Sequence, residues 1–169
     1  MFFGVLLALV GTFQPANAEP LSSLSEKAGA TKALTVFWLL NKNSGKCALV
    51  RGGADNTSVV QNQCLDFADQ KWFLVSKGGN LYQIRNVNSG KCLLVRGSDN
   101  NAPVVQNQCL DFADQYWYFP SYPGDPNWSH VKNLNSGKCL VVRGNSDNAP
   151  LVQFDCAQFA DQAWVAVIE

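Results

Sequence analysis

The residues able to do chemistry come in threes. Six cysteines form three pairs, Cys47 with Cys64, Cys92 with Cys109 and Cys139 with Cys156, each 17 residues apart. Zinc would need ligands clustered a few residues apart and usually histidine. These gaps are long and His130 is the one histidine, so a zinc site is not expected. Among the possible disulfide pairings, threefold repetition favours the one in which each pair closes its own loop. Such a loop would stabilise the fold by roughly 3 kcal/mol. Asp69, Asp114 and Asp161 recur within the phrase Phe-Ala-Asp-Gln, followed by Gln70, Gln115 and Gln162. Asp55, Asn100 and Asp147 share one loop position, and Asn56, Asn101 and Asn148 the next. These side chains could hold a ligand's hydroxyl groups with fixed geometry. They could equally cap turns and fix loops through hydrogen bonds to backbone. Arg51, Arg96 and Arg143 recur too, either to pair with the aspartates or to cover apolar surface with their stems.

Catalytic constellations are missing. A hydrolytic triad would need His130, and no Gly-x-Ser-x-Gly turn supplies a nucleophile. Paired carboxylates for glycoside hydrolysis must differ in environment, whereas most carboxylates here recur by symmetry. No glycine loop of the phosphate-cradling kind is present. The expectation is a protein that is not an enzyme and carries no metal and no cofactor.

One thirty-residue phrase positions all these residues. It runs over residues 43–72, 88–117 and 135–164, and each copy ends in Gln-x-Trp. Copies one and two differ at seven positions and copies two and three at ten, so one supersecondary unit is used three times. The first strand of each copy is expected at residues 35–40, 81–85 and 128–132, followed by an Asn-x-Asn-Ser-Gly turn. Second strands fall at 46–51, 91–96 and 138–143, and third strands at 58–63, 103–108 and 150–155. Fourth strands begin at the Gln-x-Trp. Gly and Asn between them tolerate positive φ and mark turns. About twelve short strands at regular spacing imply an all-β closed architecture. Three copies are too few for a propeller and suit a threefold barrel with a hairpin cap. Trp72, Trp117 and Trp164 are the large aromatics present at one phase in every copy, which assigns them to a shared core.

The remaining chain sets the context. Formal net charge is zero and charged residues make up 15%. A nucleic-acid partner needs a basic face, and none is available. Residues 1–18 read as a secretory signal, with an apolar run from Phe2 to Phe13 too short to span a membrane. Ala16-Asn17-Ala18 would be the cleavage site, leaving Glu19 first in a secreted, extracellular chain. No Lys or Arg precedes the run, and a buried N-terminal strand is the competing reading. Residues 19–32 are small and polar and read as a flexible lead-in. One domain is expected over 33–169, in repeats of about 33–77, 78–122 and 123–169, with no membrane span. Oligomeric state is not legible.

Paired cysteines followed six residues later by Gln-x-Trp, three times over, resemble the ricin B-chain type lectin module, a β-trefoil. The resemblance covers residues 34–169 and implies binding of glycans or glycoproteins, one shallow sugar pocket per repeat. The family's hydroxyl-binding Asp lies two residues after the first Cys; here that position holds Leu49, Leu94 and Val141. Its stacking aromatic, two residues before the second Cys, is Asn62, Asn107 and Phe154. Carbohydrate-binding candidates are therefore Asp69, Gln70, Asp114, Gln115, Asp147, Asn148, Phe154, Asp161 and Gln162, with the best site in copy three. The alternative is a protein-binding trefoil, an inhibitor or toxin-delivery subunit, using the irregular segment 121–128 with Tyr122 and Trp128 as an exposed contact loop.

Overall fold

The structure, a computed structural model, describes residues 15–30 and 34–169. It opens with β1 (Ala18–Glu19) and helix α1 (Leu21–Ala30). Copy one supplies β2 (Val36–Asn41), β3 (Cys47–Leu49), β4 (Thr57–Ser58), β5 (Val60–Asn62) and β6 (Lys71–Gly78). Copy two supplies β7 (Leu81–Asn86), β8 (Cys92–Val95), β9 (Val104–Asn107) and β10 (Trp117–Tyr118). Copy three supplies β11 (Lys132–Asn133), β12 (Cys139–Val142), β13 (Leu151–Phe154) and β14 (Trp164–Ile168). Four strands per copy, with β1 and β4 added, make an all-β trefoil.

The first and last strands of the copies build a barrel. Antiparallel pairs run β14–β2, β2–β6, β6–β7, β7–β10 and β10–β11, and a bridge from Ser129 to Trp164 closes the ring. The middle strands fold back as hairpins β3–β5, β8–β9 and β12–β13. The hairpins meet one another through Thr57 opposite Gln106, Val60 opposite Pro150 and Pro103 opposite Val152.

The turn leading into each hairpin is built by its first asparagine. Asn41 Oδ1 accepts the N–H groups of Asn43 and Ser44 at 3.0 and 3.2 Å, and Asn86 and Asn133 do the same in their copies. Each turn ends on a glycine with φ near +65° to +68° (Gly45, Gly90 and Gly137), a conformation that a side chain disfavours. Trp72, Trp117 and Trp164 are fully buried. Their indole N–H groups donate to the carbonyls of Ala48, Leu93 and Leu140 at 2.9, 2.9 and 3.0 Å, so the core rings also fix the second strands. Disulfides Cys47–Cys64, Cys92–Cys109 and Cys139–Cys156 close within each copy.

The flexible lead-in expected at residues 19–32 is corrected over residues 19–30, and residues 31 and 32 lie outside the described residues. Leu21 and Leu24, three apart on one helical face, are both buried in the barrel core. The Tyr82 hydroxyl donates to the Ser25 carbonyl at 2.8 Å, and α1 lies against β6 and β14. Two buried leucines, at about 1.5–3 kcal/mol each, outweigh a polar composition. Most of the expected signal, residues 1–14, lies outside the described residues. The expected cut after Ala18 falls inside β1, where Ala18 opposes Val167 and Glu19 opposes Ala166.

Candidate functional site

The Gln of each Gln-x-Trp is a backbone clip. Gln70 Oε1 accepts the Leu65 N–H at 2.6 Å while its Nε2 donates to the Gln63 carbonyl at 2.9 Å. Gln115 clips Leu110 and Gln108, and Gln162 clips Ala157 and Asp155, in the same way. All three are buried. They shape the loop and present no free amide to a ligand.

The clipped loop ends in a single 3-10 turn, Ala68–Gln70, Ala113–Gln115 or Ala160–Gln162. Its aspartate is pinned through its backbone by the buried turn asparagine that follows. Asn86 Nδ2 donates to the Asp69 carbonyl at 2.9 Å, Asn133 to that of Asp114 at 2.9 Å and Asn41 to that of Asp161 at 3.0 Å. The carboxylates behave alike: Oδ1 of Asp69, of Asp114 and of Asp161 is buried without a hydrogen-bond partner. A buried unpaired acceptor costs about 1–3 kcal/mol, and this one occurs three times by symmetry. Arg96 stands 4.0 Å from Asp114 Oδ2 and Arg143 stands 3.6 Å from Asp161 Oδ2, whereas Arg51 turns to Asn148. Burial raises the Asp161 carboxyl above the ordinary carboxylate range, and Arg143 offsets only part of that.

Shallow cavities sit over two of these carboxylates. One, about 350 Å³, is lined by Asn43, Arg143, Phe159, Ala160 and Asp161. Its counterpart, about 270 Å³, is lined by Gly52, Phe67, Ala68, Asp69 and Asn88. Phe67, Phe112 and Phe159 are 60%, 59% and 64% exposed. Sequence reasoning passed over these rings and the asparagines beside them. The signal was present in the thrice-written Phe-Ala-Asp-Gln, but nothing in the sequence shows which way the ring points.

Other candidates fall elsewhere. Phe154 packs its ring under the Arg143 guanidinium at 4.5 Å, so it touches the Asp161 site through Arg143. Asp147 pairs with Lys46, and Asn148 accepts from Arg51, both residues of copy one. Asn148 has φ +61°, and its N–H donates to the Gln61 carbonyl, which makes it a junction between copies. His130 Nε2 donates to the Ala157 carbonyl at 3.2 Å, in the place taken by Trp38 Nε1 and Gln83 Nε2 in the other copies. Burial lowers its pKa. The contact loop expected at residues 121–128 is corrected in its two aromatics, while Ser121, Pro123, Gly124, Pro126 and Asn127 are exposed. Tyr122 and Trp128 are buried against Leu40, Ala163 and Val165, because Lys42, held by Asp125 at 2.5 Å, lies over both rings and draws the loop down.

The ricin-type beta-trefoil lectin domain matches residues 80–167, more than half of the chain, and a ricin-type beta-trefoil lectin domain-like family matches residues 26–107. The chain belongs to the ricin-type β-trefoil lectin family. Carbohydrate binding is that family's property. A comparison with curated protein sequences finds no match. Among solved structures, the designed threefold symmetric protein ThreeFoil is similar at 28% identity and TM-score 0.74, over 78% of this chain and 97% of that one. The exo-β-1,3-galactanase 1,3Gal43A from Clostridium thermocellum is similar at 28% identity and TM-score 0.76, over 82% of this chain. The hemolytic lectin CEL-III is similar at 30% identity and TM-score 0.65, over 78% of this chain. The match spans only 31% of the galactanase and 29% of the hemolytic lectin.

Within this ricin-type trefoil, Leu49, Leu94 and Val141 are buried at the position that the resemblance gives to the hydroxyl-binding Asp. Apolar side chains packed into the core there cannot accept a hydroxyl. Asp69, Asp114 and Asp161, one residue before each clip, stay beside the strand that carries this position: the Val50 N–H donates to the Asp69 carbonyl at 3.1 Å.

Proposed function

We propose that this lectin-family chain is a secreted, non-catalytic binder of glycans or glycoproteins, holding sugar hydroxyls at the aspartates that precede the Gln-x-Trp clip. One observation carries the reading: a half-buried aspartate, one oxygen packed away and the other part of its carboxylate reachable, lines a shallow cavity beside an exposed ring in copies one and three. A sugar hydroxyl can donate to the reachable oxygen, at a site shallow enough for a single ring. Copy three is the strongest site, because Phe154 steadies Arg143 and Arg143 faces Asp161. Three disulfides suit an oxidising, extracellular setting. The protein-contact alternative keeps the apolar Leu49, Leu94 and Val141 as its motive but loses Tyr122 and Trp128 as exposed anchors. The test is a broad glycan array followed by isothermal titration of the best hit. Asp161→Asn should weaken binding by about tenfold or more, the worth of a hydrogen bond to a charged group. Phe154→Ala should weaken it less, by freeing Arg143. An array with no hits for the wild-type protein overturns the reading.

A further inference from the structure

Three features around each aspartate have no structural duty. The first is the phenylalanine two residues earlier. Phe67, Phe112 and Phe159 offer most of their surface to water, while their backbone carbonyls alone serve the turn by accepting from Gln70, Gln115 and Gln162. Three exposed rings, identically placed, are not scattered surface apolars of the ordinary kind. The second is the half-buried carboxylate two residues after each ring, which shares a cavity with it in copies one and three. The third is an asparagine from the next copy: Asn88 beside Asp69 and Asn43 beside Asp161, with Asn135 equivalent beside Asp114. Among the described residues, the side-chain amides of Asn43, Asn88 and Asn135 make no hydrogen bond, and all three are exposed. Each backbone is fixed by the turn before it.

We infer that the sugar platform of this chain consists of Phe67, Phe112 and Phe159, each forming with its aspartate and the next copy's asparagine a site that straddles two repeats and takes one neutral terminal sugar ring. This inference rests on the carbohydrate-binding reading above and names the site's parts and ligand class. The chemistry divides cleanly. The ring face covers the apolar C–H side of a pyranose. The reachable carboxylate oxygen, Oδ2, accepts a hydrogen bond from one sugar hydroxyl, and the asparagine amide both donates to and accepts from a neighbouring hydroxyl. A neutral sugar suits the site, since in copies two and three the carboxylate and the arginine facing it already balance each other's charge. The aromatic missing at Asn62 and Asn107 is thereby replaced from the far side of the disulfide loop. The junctions are copy one with two, two with three, and three with one, so the third site exists only because the ring closes: Asp161 comes from one end of the fold and Asn43 from the other.

The test uses the whole protein and a triple variant, Phe67→Ala/Phe112→Ala/Phe159→Ala, with a triple Phe→Tyr variant as control. These rings are exposed, so both variants should melt with the wild-type protein by circular dichroism. Each is put on an array of neutral and sialylated glycans, then titrated with galactose, N-acetylgalactosamine, xylan fragments and the best array hit. The expected result is neutral-glycan binding by wild type, a loss of at least about tenfold in the alanine variant and retention within about threefold in the tyrosine variant. Neutral-glycan binding that survives in the alanine variant overturns this inference and leaves the carbohydrate reading standing. Hits confined to sialylated glycans overturn the ligand class. No hits for wild type overturns the carbohydrate reading and this inference with it.

Discussion

Asp161 holds a charge where water barely reaches, with one oxygen near Arg143 and the other unpaired. Its folded-state pKa is raised, chiefly by burial. The associated stability is therefore complete below the ordinary carboxylate value and lost as pH rises through the raised one. At neutral pH the ionised side chain works against the fold, as groups kept for binding commonly do. Asp161→Asn should raise Tm at pH 7, with the difference vanishing as pH falls below the ordinary carboxylate value, measured by calorimetry across pH. Equal melting at every pH would show that the carboxylate is not strained. The same variant weakens glycan binding, so stability and affinity move in opposite directions. The surface ion pairs show symmetry kept by a different residue. Lys46 and Lys91 meet Asp147 and Asp55 of a neighbouring copy. Lys138 would meet Asn100, and its carboxylate comes instead from Asp155, which stands where the other copies have Gln63 and Gln108. Asn100 then donates to Asp155 at 2.8 Å.

At the scale of elements, helix α1 is the part added to the threefold plan. It supplies Leu21 and Leu24 to a core otherwise drawn from the repeats. Leu24→Ala should cost about 3 kcal/mol, a Tm fall of roughly 6–12 °C, whereas a flexible leader would tolerate it silently. Thermal unfolding followed by circular dichroism separates the two. The sequence of α1 hides this role because two leucines among serines, lysine and glutamate make too short a pattern to claim a helix. The repeat strands were legible for the opposite reason. Three near-identical copies place most strands between turns whose Asn and Gly residues have a stated backbone need; the exception is the first strand of copy three, expected at 128–132 and found as a bridge at Ser129 and the short β11. The sites were half legible. Asp69, Asp114 and Asp161 could be named from their phrase, but the burial of Gln70, Gln115 and Gln162 depends on a clip that spans five to seven residues. The outward turn of Phe67 depends on a 3-10 turn that no periodicity announces.

The whole molecule is a ring of three lobes tied together by polar groups at its cap as well as by its shared core. Gln61, Gln106 and Gln153 are fully buried, and each reaches from its hairpin into the loop of another copy. Gln61 Nε2 donates to Ser146, Gln106 to Ala54 and Gln153 to Asp99, each at 3.0 Å. At the other end β14 pairs with β2 from Trp164 opposite Asn41 to Ile168 opposite Phe37, joining the last copy to the first. No lobe can open without exposing another's buried amides and tryptophan, so unfolding should be a single event. The disulfides make this testable one lobe at a time, since all three close loops of the same sequence separation, 17 residues. On loop entropy, removing any one of them costs about the same, near 3 kcal/mol. Three paired variants, Cys47→Ala/Cys64→Ala, Cys92→Ala/Cys109→Ala and Cys139→Ala/Cys156→Ala, should each lower Tm by roughly 6–12 °C. Each should still melt in one transition, with near- and far-ultraviolet circular dichroism coinciding. A variant that melts in two steps would show that its lobe folds alone and that the cap glutamines do not couple it to the rest.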